Sequence, residues 1–268
     1  RTPHLAELAR AGQRVSFLYL EHANVHQART GLIAMLAENQ RVEIPAATIG
    51  ALLLGPGTTI SHDAASTVHR CGCVLMWVST DGVTCYQAGT PLVGDGTFAQ
   101  AQARLWADPT ARLAAARTMY TARFAGASPP PTTPLSALRG IEGQIVKAEY
   151  LRLRKATNMP GWRRDHTATD PVNVGLNLGN SILYGCAAVV TSALGLSPAL
   201  GVIHTGANAA FLYDLADMYK LNVTIPAAFF AARQPNPATA VRRHVRRDII
   251  RRGIIQKMFE TTVDVLGP

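Results

Sequence analysis

The stretch Cys73–Trp106 reads CVLMWVSTDGVTCYQAGTPLVGDGTFAQAQARLW, and the spacing of its apolar residues changes partway along. Cys73–Val78 and Val83–Tyr86 are short runs rich in β-branched and aromatic residues, separated by Thr80-Asp81-Gly82. An Asp-Gly pair between such runs signals a hairpin, because these residues accept the positive φ of a tight turn. After Gly94-Asp95-Gly96 the texture becomes Ala, Leu and Arg at helical spacing. Helices are expected over Phe98–Trp106 and Pro109–Phe124, with Pro109 at a favoured first-turn position. The fold class is therefore α+β, with a small N-terminal β domain over residues 1–90 and a larger all-α domain over 91–268.

Upstream, Val15–Leu20 is apolar and strand-like, and Leu32–Leu36 and Arg41–Ile44 flank Glu38-Asn39-Gln40 as a second hairpin. Thr48–Leu54 is a buried-looking strand stopped by Gly55-Pro56-Gly57, and Ser61 is placed to cap a short helix ending near Arg70. Downstream, Ala127–Pro134 is a proline-rich loop that cannot continue a helix. Ser136 is expected to cap a helix running to about Thr157, and Met159–Asp170 is a polar loop. Apolar helices follow, and a basic helix closes the chain.

Composition narrows the class. Of 268 residues, 48% are hydrophobic and 16% charged, which excludes a disordered chain and supports a packed core. The net charge is +9 and the pI about 9.8, a balance suited to an anionic partner. Arginine supplies most of it, since only four lysines occur, and arginine suits bidentate contact with phosphate. Cys71-Gly-Cys73 is too tightly spaced for a zinc knuckle, so the four cysteines read as small hydrophobes of a reducing cytosol. With no early apolar run after Arg1-Thr2-Pro3-His4, a cytoplasmic protein is expected. Pro171–Tyr213 lacks Asp, Glu, Lys and Arg, and Ile182–Ile203 is long enough to span a bilayer. The interruption Gly195-Leu196-Ser197-Pro198 and the many small polar residues favour buried core helices over a membrane span.

The candidate ligands lie on separate segments: Glu142, His204, and the pair Asp214 and Asp217. Asp214 and Asp217 are three residues apart, so on a helix they share a face. Two carboxylates forced together repel unless a cation or proton intervenes. Adding one imidazole and one Glu gives a mixed oxygen and nitrogen set suited to Mn2+ and tolerant of Mg2+. Each residue also has a plain structural reading: His204 as a turn residue beside Gly206, the Asp pair as a solvated helix face, Glu142 as an ordinary helical carboxylate. Glu149, seven residues after Glu142 and on nearly the same face, competes for the role.

A second feature is the run Arg242-Arg243-His244-Val245-Arg246-Arg247-Asp248, continued by Arg251, Arg252 and Lys257. Seven cations against one Asp in sixteen residues repel one another and favour a polyanion. Gly175-Leu176-Asn177-Leu178-Gly179-Asn180-Ser181 is glycine-rich but lacks the lysine and glycine spacing of a phosphate-binding loop.

At these residues the chain resembles the CRISPR-associated integrase, the larger subunit of the spacer-acquisition complex, in its type I-E branch. The likeness is carried by Leu138-Arg139-Gly140-Ile141-Glu142-Gly143, by Leu183-Tyr184-Gly185, and by Gly201–Lys220 with His204-Thr205-Gly206, Tyr213-Asp214 and Ala216-Asp217. Pro56-Gly57-Thr58, Ser61-His62 and Trp77-Val78 ahead of Gly82-Val83 extend it into the β domain. The resemblance implies Glu142, His204 and Asp217 as ligands of Mg2+ or Mn2+, with Asp214 supporting them in catalysis. DNA contacts are expected from Arg242, Arg243, Arg246, Arg247, Arg251 and Arg252, and also from Tyr184, Arg163 and Arg164. The implied activity inserts short foreign duplexes into the repeat of a CRISPR array by 3′-hydroxyl transesterification. The implied assembly is a homodimer, two of which are bridged by a small ferredoxin-like subunit into a heterohexamer of four integrase and two small chains. The chain departs from the family at Thr59, Ser66 and Thr84, where relatives carry basic residues, and at Ala207. His22 stands where an aromatic marks the end of the prespacer duplex. The alternative reading is a metal-dependent nuclease of branched DNA in repair, using the same residues. A non-catalytic DNA-binding scaffold is the remaining rival.

Overall fold

A computed structural model describes residues 17–29, 31–79, 85–89, 96–124 and 133–267. The turn at Thr80-Asp81-Gly82, the change of texture at Gly94-Asp95, Val15–Ser16 and most of the loop from Ala127 lie outside these residues. Contacts group the chain into two units, one of residues 1–100 with Ala188–Ser197 and the terminal Pro268, the other of Ala101–Ala187 with Pro198–Gly267.

The first unit is β-rich. β1 (Phe17–Leu20), β5 (Ala51–Leu54) and β7 (Val74–Val78) run parallel in one sheet, and β8 (Cys85–Gly89) closes it antiparallel to β7. β5 is buried along its whole length, as a central parallel strand must be when both faces are covered. A second sheet has the order β4 (Arg41–Ile44), β3 (Gly31–Met35), β2 (Asn24–Ala28) and β6 (Thr59–Ile60). Leu32 pairs with Ile44 across the β3–β4 hairpin, and Asn39 takes the left-handed turn position with φ 59°. α1 (His62–Arg70) begins at Ser61, whose Oγ accepts the Ala64 N–H at 3.3 Å. Leu20, Val25, Leu32, Ile44, Leu52, Leu54 and Val68 fill the core of this unit.

The helices are α2 (Thr97–Ala107), α3 (Pro109–Arg123), α4 (Leu135–Ala156), α5 (Pro171–Ala193), α6 (Ala210–Lys220), α7 (Thr224–Ala231), α8 (Pro237–Arg252) and α9 (Ile254–Leu266), which belong to the second unit except for the start of α2 up to Gln100 and the end of α5 from Ala188. Two sequence expectations are corrected and one strand is added. Ser136 is not the cap of α4: the helix begins two residues earlier than such a cap implies, at Leu135 after Pro134, whose extended ψ of 158° sets the boundary without a side-chain bond. β2 is a strand that the apolar pattern does not announce, because it buries only Val25. The basic helix is not the last, because Gly253 adopts φ 59° and ends α8, leaving Lys257 on α9.

α5 alone, among the described helices, has the length and hydropathy to cross a membrane, and its apolar window is 61% buried. Its glycines explain why. A Cβ at Gly175 would stand 3.1 Å from Val241 Cγ2 and 3.3 Å from Ala228, and one at Gly179 would stand 3.1 Å from Thr224. The bare backbone thus lets α7 and α8 lie directly against α5, with Val172 and Leu176 buried beside Ile225, Ala228 and Phe229. Tyr150, Trp162 and Phe229 close that core edge-on, the Trp162 and Phe229 rings 4.7 Å apart.

Candidate active site

The site is built on α6 and the segment that precedes it. Phe211 N–H bonds to Pro198 O at 2.8 Å, and buried Gln102 donates to Leu200 O at 3.1 Å, so both ends of the turn are pinned. At Gly201 any Cβ would collide with the His204 carbonyl oxygen and the Ala210 side chain. Only glycine permits the chain to fold back over the start of α6 there.

Asp214 holds the fold-back in place. It is 1% exposed, and its carboxylate accepts the backbone N–H groups of Val202 (2.5 Å), Ile203 (3.0 Å) and His204 (2.9 Å). The same carboxylate lies 2.7 Å from His204 Nδ1. This bond fixes the neutral tautomer with its proton on Nδ1 and leaves the Nε2 lone pair on the side of Asp217. It also holds the His204 pKa above 6.5, against desolvation, with the charges of Asp214, Asp217 and Glu142 adding to the effect.

Asp217 lies one turn after Asp214, and its Oδ2 is 3.9 Å from His204 Nε2. Lys220, a turn further, forms an ion pair with Asp217 Oδ1 and donates to the Tyr184 hydroxyl at 2.8 Å. Burial works against the Lys220 ammonium, but Asp217 and Tyr184 outweigh it and hold its pKa above the usual range. Tyr184 in turn meets Tyr213 edge-on at 5.1 Å, and Tyr213 meets His204 at 6.0 Å. Tyr184 thus stands within the cluster of Asp217 and Lys220.

Glu142 sits on the facing helix α4, where Tyr120 Oη donates to one carboxylate oxygen at 2.9 Å and Arg123 Nη1 to the other at 2.5 Å. Burial, followed by the Glu142 charge and hydrogen bond, holds the Tyr120 phenol well above its ordinary range, so it remains a donor. Arg139, one turn before Glu142, donates to the carbonyl of Ile203 and ties α4 to the His204 segment. Glu149 is committed elsewhere, in a bidentate pair with Arg152 at 2.7 and 2.8 Å.

The structure therefore brings His204, Asp214 and Asp217 together and sets Glu142 close enough for its charge to act on His204. Among the described residues no three of His, Cys, Asp and Glu form a closed metal-holding group. The donor types nonetheless fit a hard divalent cation. Asp217 Oδ1 is taken up by the Lys220 ammonium, while Asp217 Oδ2 stands 3.9 Å from His204 Nε2. Oδ2 is therefore the carboxylate oxygen with acceptor capacity beside the imidazole.

The expected DNA contacts divide. On α8, Arg243, Arg246, Arg247, Arg251 and Arg252 are exposed, while Arg242 is half-buried. Asp248 gathers Arg247 (3.4 Å), Arg251 (3.4 Å) and Arg252 (3.8 Å) into a fan. Arg163 is exposed, whereas Arg164 is spent on α5, bonding to Asn173 (3.0 Å) and Asn177 (2.7 Å). His22 is exposed, with φ 49°, and its N–H bonds to Pro56 O at 2.9 Å. Sequence reasoning gives no role to Tyr120, Arg123 or Lys220. For Lys220 the signal is present, since its position three residues after Asp217 places it on the same helix face.

Comparison with known proteins gives a consistent picture. The family model described as CRISPR associated protein Cas1 matches residues 18–129 and 127–234. The CRISPR-associated endonuclease Cas1 2 of Thermus thermophilus is 36% identical over 269 residues, 98% of this chain and 82% of its own length. The CRISPR-associated endonuclease Cas1 of Escherichia coli K12 is 32% identical over 263 residues, 95% of this chain and 85% of its own length. Among solved structures, the TtCas1–DNA complex superposes with a TM-score of 0.81 at 35% identity, covering 94% of this chain and 96% of that one.

Proposed function

The chain belongs to the CRISPR-associated Cas1 family of endonucleases and integrases, and from that premise we propose that it joins the 3′-hydroxyl ends of a short DNA duplex to the repeat of a CRISPR array. The observation that carries this reading is Nε2 of His204 facing Asp217 Oδ2 at 3.9 Å, with Asp214 fixing the imidazole through Nδ1. Glu142, His204 Nε2 and Asp217 are the residues that would hold Mg2+ or Mn2+. When bound, such an ion lowers the pKa of the attacking hydroxyl and offsets charge on the phosphoryl group.

The chain's own residues supply positioning, which dominates phosphoryl transfer. Asp214 keeps the imidazole in one tautomer and orientation. Lys220, itself bonded to Tyr184, steadies Asp217 through their ion pair. The exposed arginines of α8 grip backbone phosphates and set the target strand in line with the incoming hydroxyl. The new bond forms between the attacking 3′-oxygen and phosphorus, the old phosphorus–oxygen bond breaks, and the displaced strand leaves with a free 3′-hydroxyl. One phosphodiester replaces another, so no covalent enzyme intermediate is required.

The name endonuclease carried by the relatives favours a second reading, in which water replaces the hydroxyl and the same site cuts branched DNA. DNA binding by this chain is supported by the similarity to the TtCas1–DNA complex. We assign it a homodimer and a small ferredoxin-like partner, in a four-to-two assembly. A strand-joining assay with a supercoiled plasmid carrying a leader and repeat decides between the readings. Half-site and full-site joined products support integration, and cleavage of branched DNA with no joining at any divalent cation concentration overturns it.

A further inference from the structure

Tyr120 and Arg123 lie outside the proposed ligand set, yet each commits its polar head to Glu142. They are three residues apart on α3, so both project from one face toward α4. Tyr120 is 1% exposed and gives its only proton to Glu142 Oε2; Arg123, with a side chain 5% exposed, gives Nη1 to Oε1. The donors are themselves braced. The Tyr120 ring stacks on Phe124 at 5.9 Å with an interplanar angle of 14°, and the Arg123 guanidinium lies over the Phe124 ring at 5.3 Å.

As a stabilising device this arrangement is poor. Burying a guanidinium is costly, and a buried ion pair seldom outperforms apolar residues of similar volume. Arg123 Nε also finds no hydrogen-bond partner among the described residues. Glu149, on the same helix, shows the ordinary alternative, since its arginine partner lies largely in solvent. What the buried pair does provide is direction. An ionised carboxylate offers about four lone-pair sites. Two donors, one on each oxygen, fix the plane of the group and limit which of its lone pairs stay available.

We propose that Tyr120 and Arg123 are positioning residues for the strand-transfer site, clamping both oxygens of Glu142 so that it meets a divalent cation in a fixed orientation. This rests on the reading of Glu142 as a ligand. The test uses Tyr120→Phe, which keeps the ring and removes the hydroxyl, and Arg123→Lys, which keeps the charge and removes the planar fork. Three quantities are read on the full-length protein: Mn2+ affinity without DNA, by calorimetry; kcat and KM for strand joining; and Tm. Outer-shell partners of ligands typically contribute about 10–100-fold to metal affinity or activity. The expected result is Mn2+ affinity and kcat each lowered about tenfold in both variants, with KM for DNA within about twofold. Wild-type Mn2+ affinity and kcat in both variants, beside an inactive Glu142→Ala, overturn the clamp and leave the ligand reading intact. An active Glu142→Ala that binds Mn2+ normally overturns the ligand reading and the clamp with it. If Arg123→Lys unfolds, Tyr120→Phe decides by the same readings.

Discussion

His204 Nδ1 lies 2.7 Å from Asp214 Oδ1, and that same carboxylate ties down the backbone N–H groups of residues 202, 203 and 204. One buried side chain thus sets both the path of the loop and the tautomer of the imidazole it carries. The pairing has a pH consequence whose sign follows from linkage. His204 binds its proton more tightly when folded than the ordinary value of 6.5 allows. The stability this contributes is complete below that value and is lost as pH rises through the folded pKa. Asp214→Asn is expected to unfold at a lower temperature than the wild type, with the gap narrowing as pH is raised through that pKa. It should also slow strand joining by about 10–100-fold, because the amide can turn the ring to the wrong tautomer. Thermal unfolding across pH, with a ring-proton titration of His204, checks both. An unchanged His204 titration in the variant would show that Asp214 does not control the ring.

The arginine face of α8 makes a salt-dependence prediction. Replacing Arg243, Arg246 and Arg247 by Ala removes three exposed cations. Every phosphate left without its arginine should reduce the slope of log K against log salt by about 0.9. Fluorescence anisotropy over a salt series measures it, with Tm expected to change little. A slope equal to that of the wild type places the DNA on another surface.

Close packing at Gly175 gives a stability prediction. A valine there must push aside Val241 and Ala228, and overpacking of this kind costs about 1–3 kcal/mol. Chemical denaturation should report that loss. Since Val241 belongs to α8, a weakened DNA affinity is expected alongside it, and a variant as stable as the wild type would show that the helices separate at little cost.

Much of this architecture is legible in the sequence wherever apolar spacing is strong. The β3 and β4 strands, the β7 and β8 strands, α1 with its Ser61 cap, and the boundaries of α2 and α3 all fall within a few residues of the apolar pattern. β2 is not legible, because a strand that buries one residue in five has no period to detect. The start of α4 is misread when a hydroxyl cap is favoured where proline geometry governs, although Gly253 is a plain stop signal for α8. The Asp214 and Asp217 pair is visible from helical spacing, whereas spacing alone does not join His204 and Glu142 to it, and the ligand set proposed for them comes from the family resemblance. Arg123 is hidden for a different reason: an arginine near the end of an alanine-rich helix looks solvated until the fold brings Glu142 to it from 19 residues away.

In the proposed reaction Asp217 acts with His204 and Glu142 on one phosphodiester. The most direct test is strand joining by Asp217→Ala in the presence of Mn2+, measured beside its DNA affinity. Joining should fall below detection while Kd stays within a few-fold of the wild type; full joining by this variant would contradict the site.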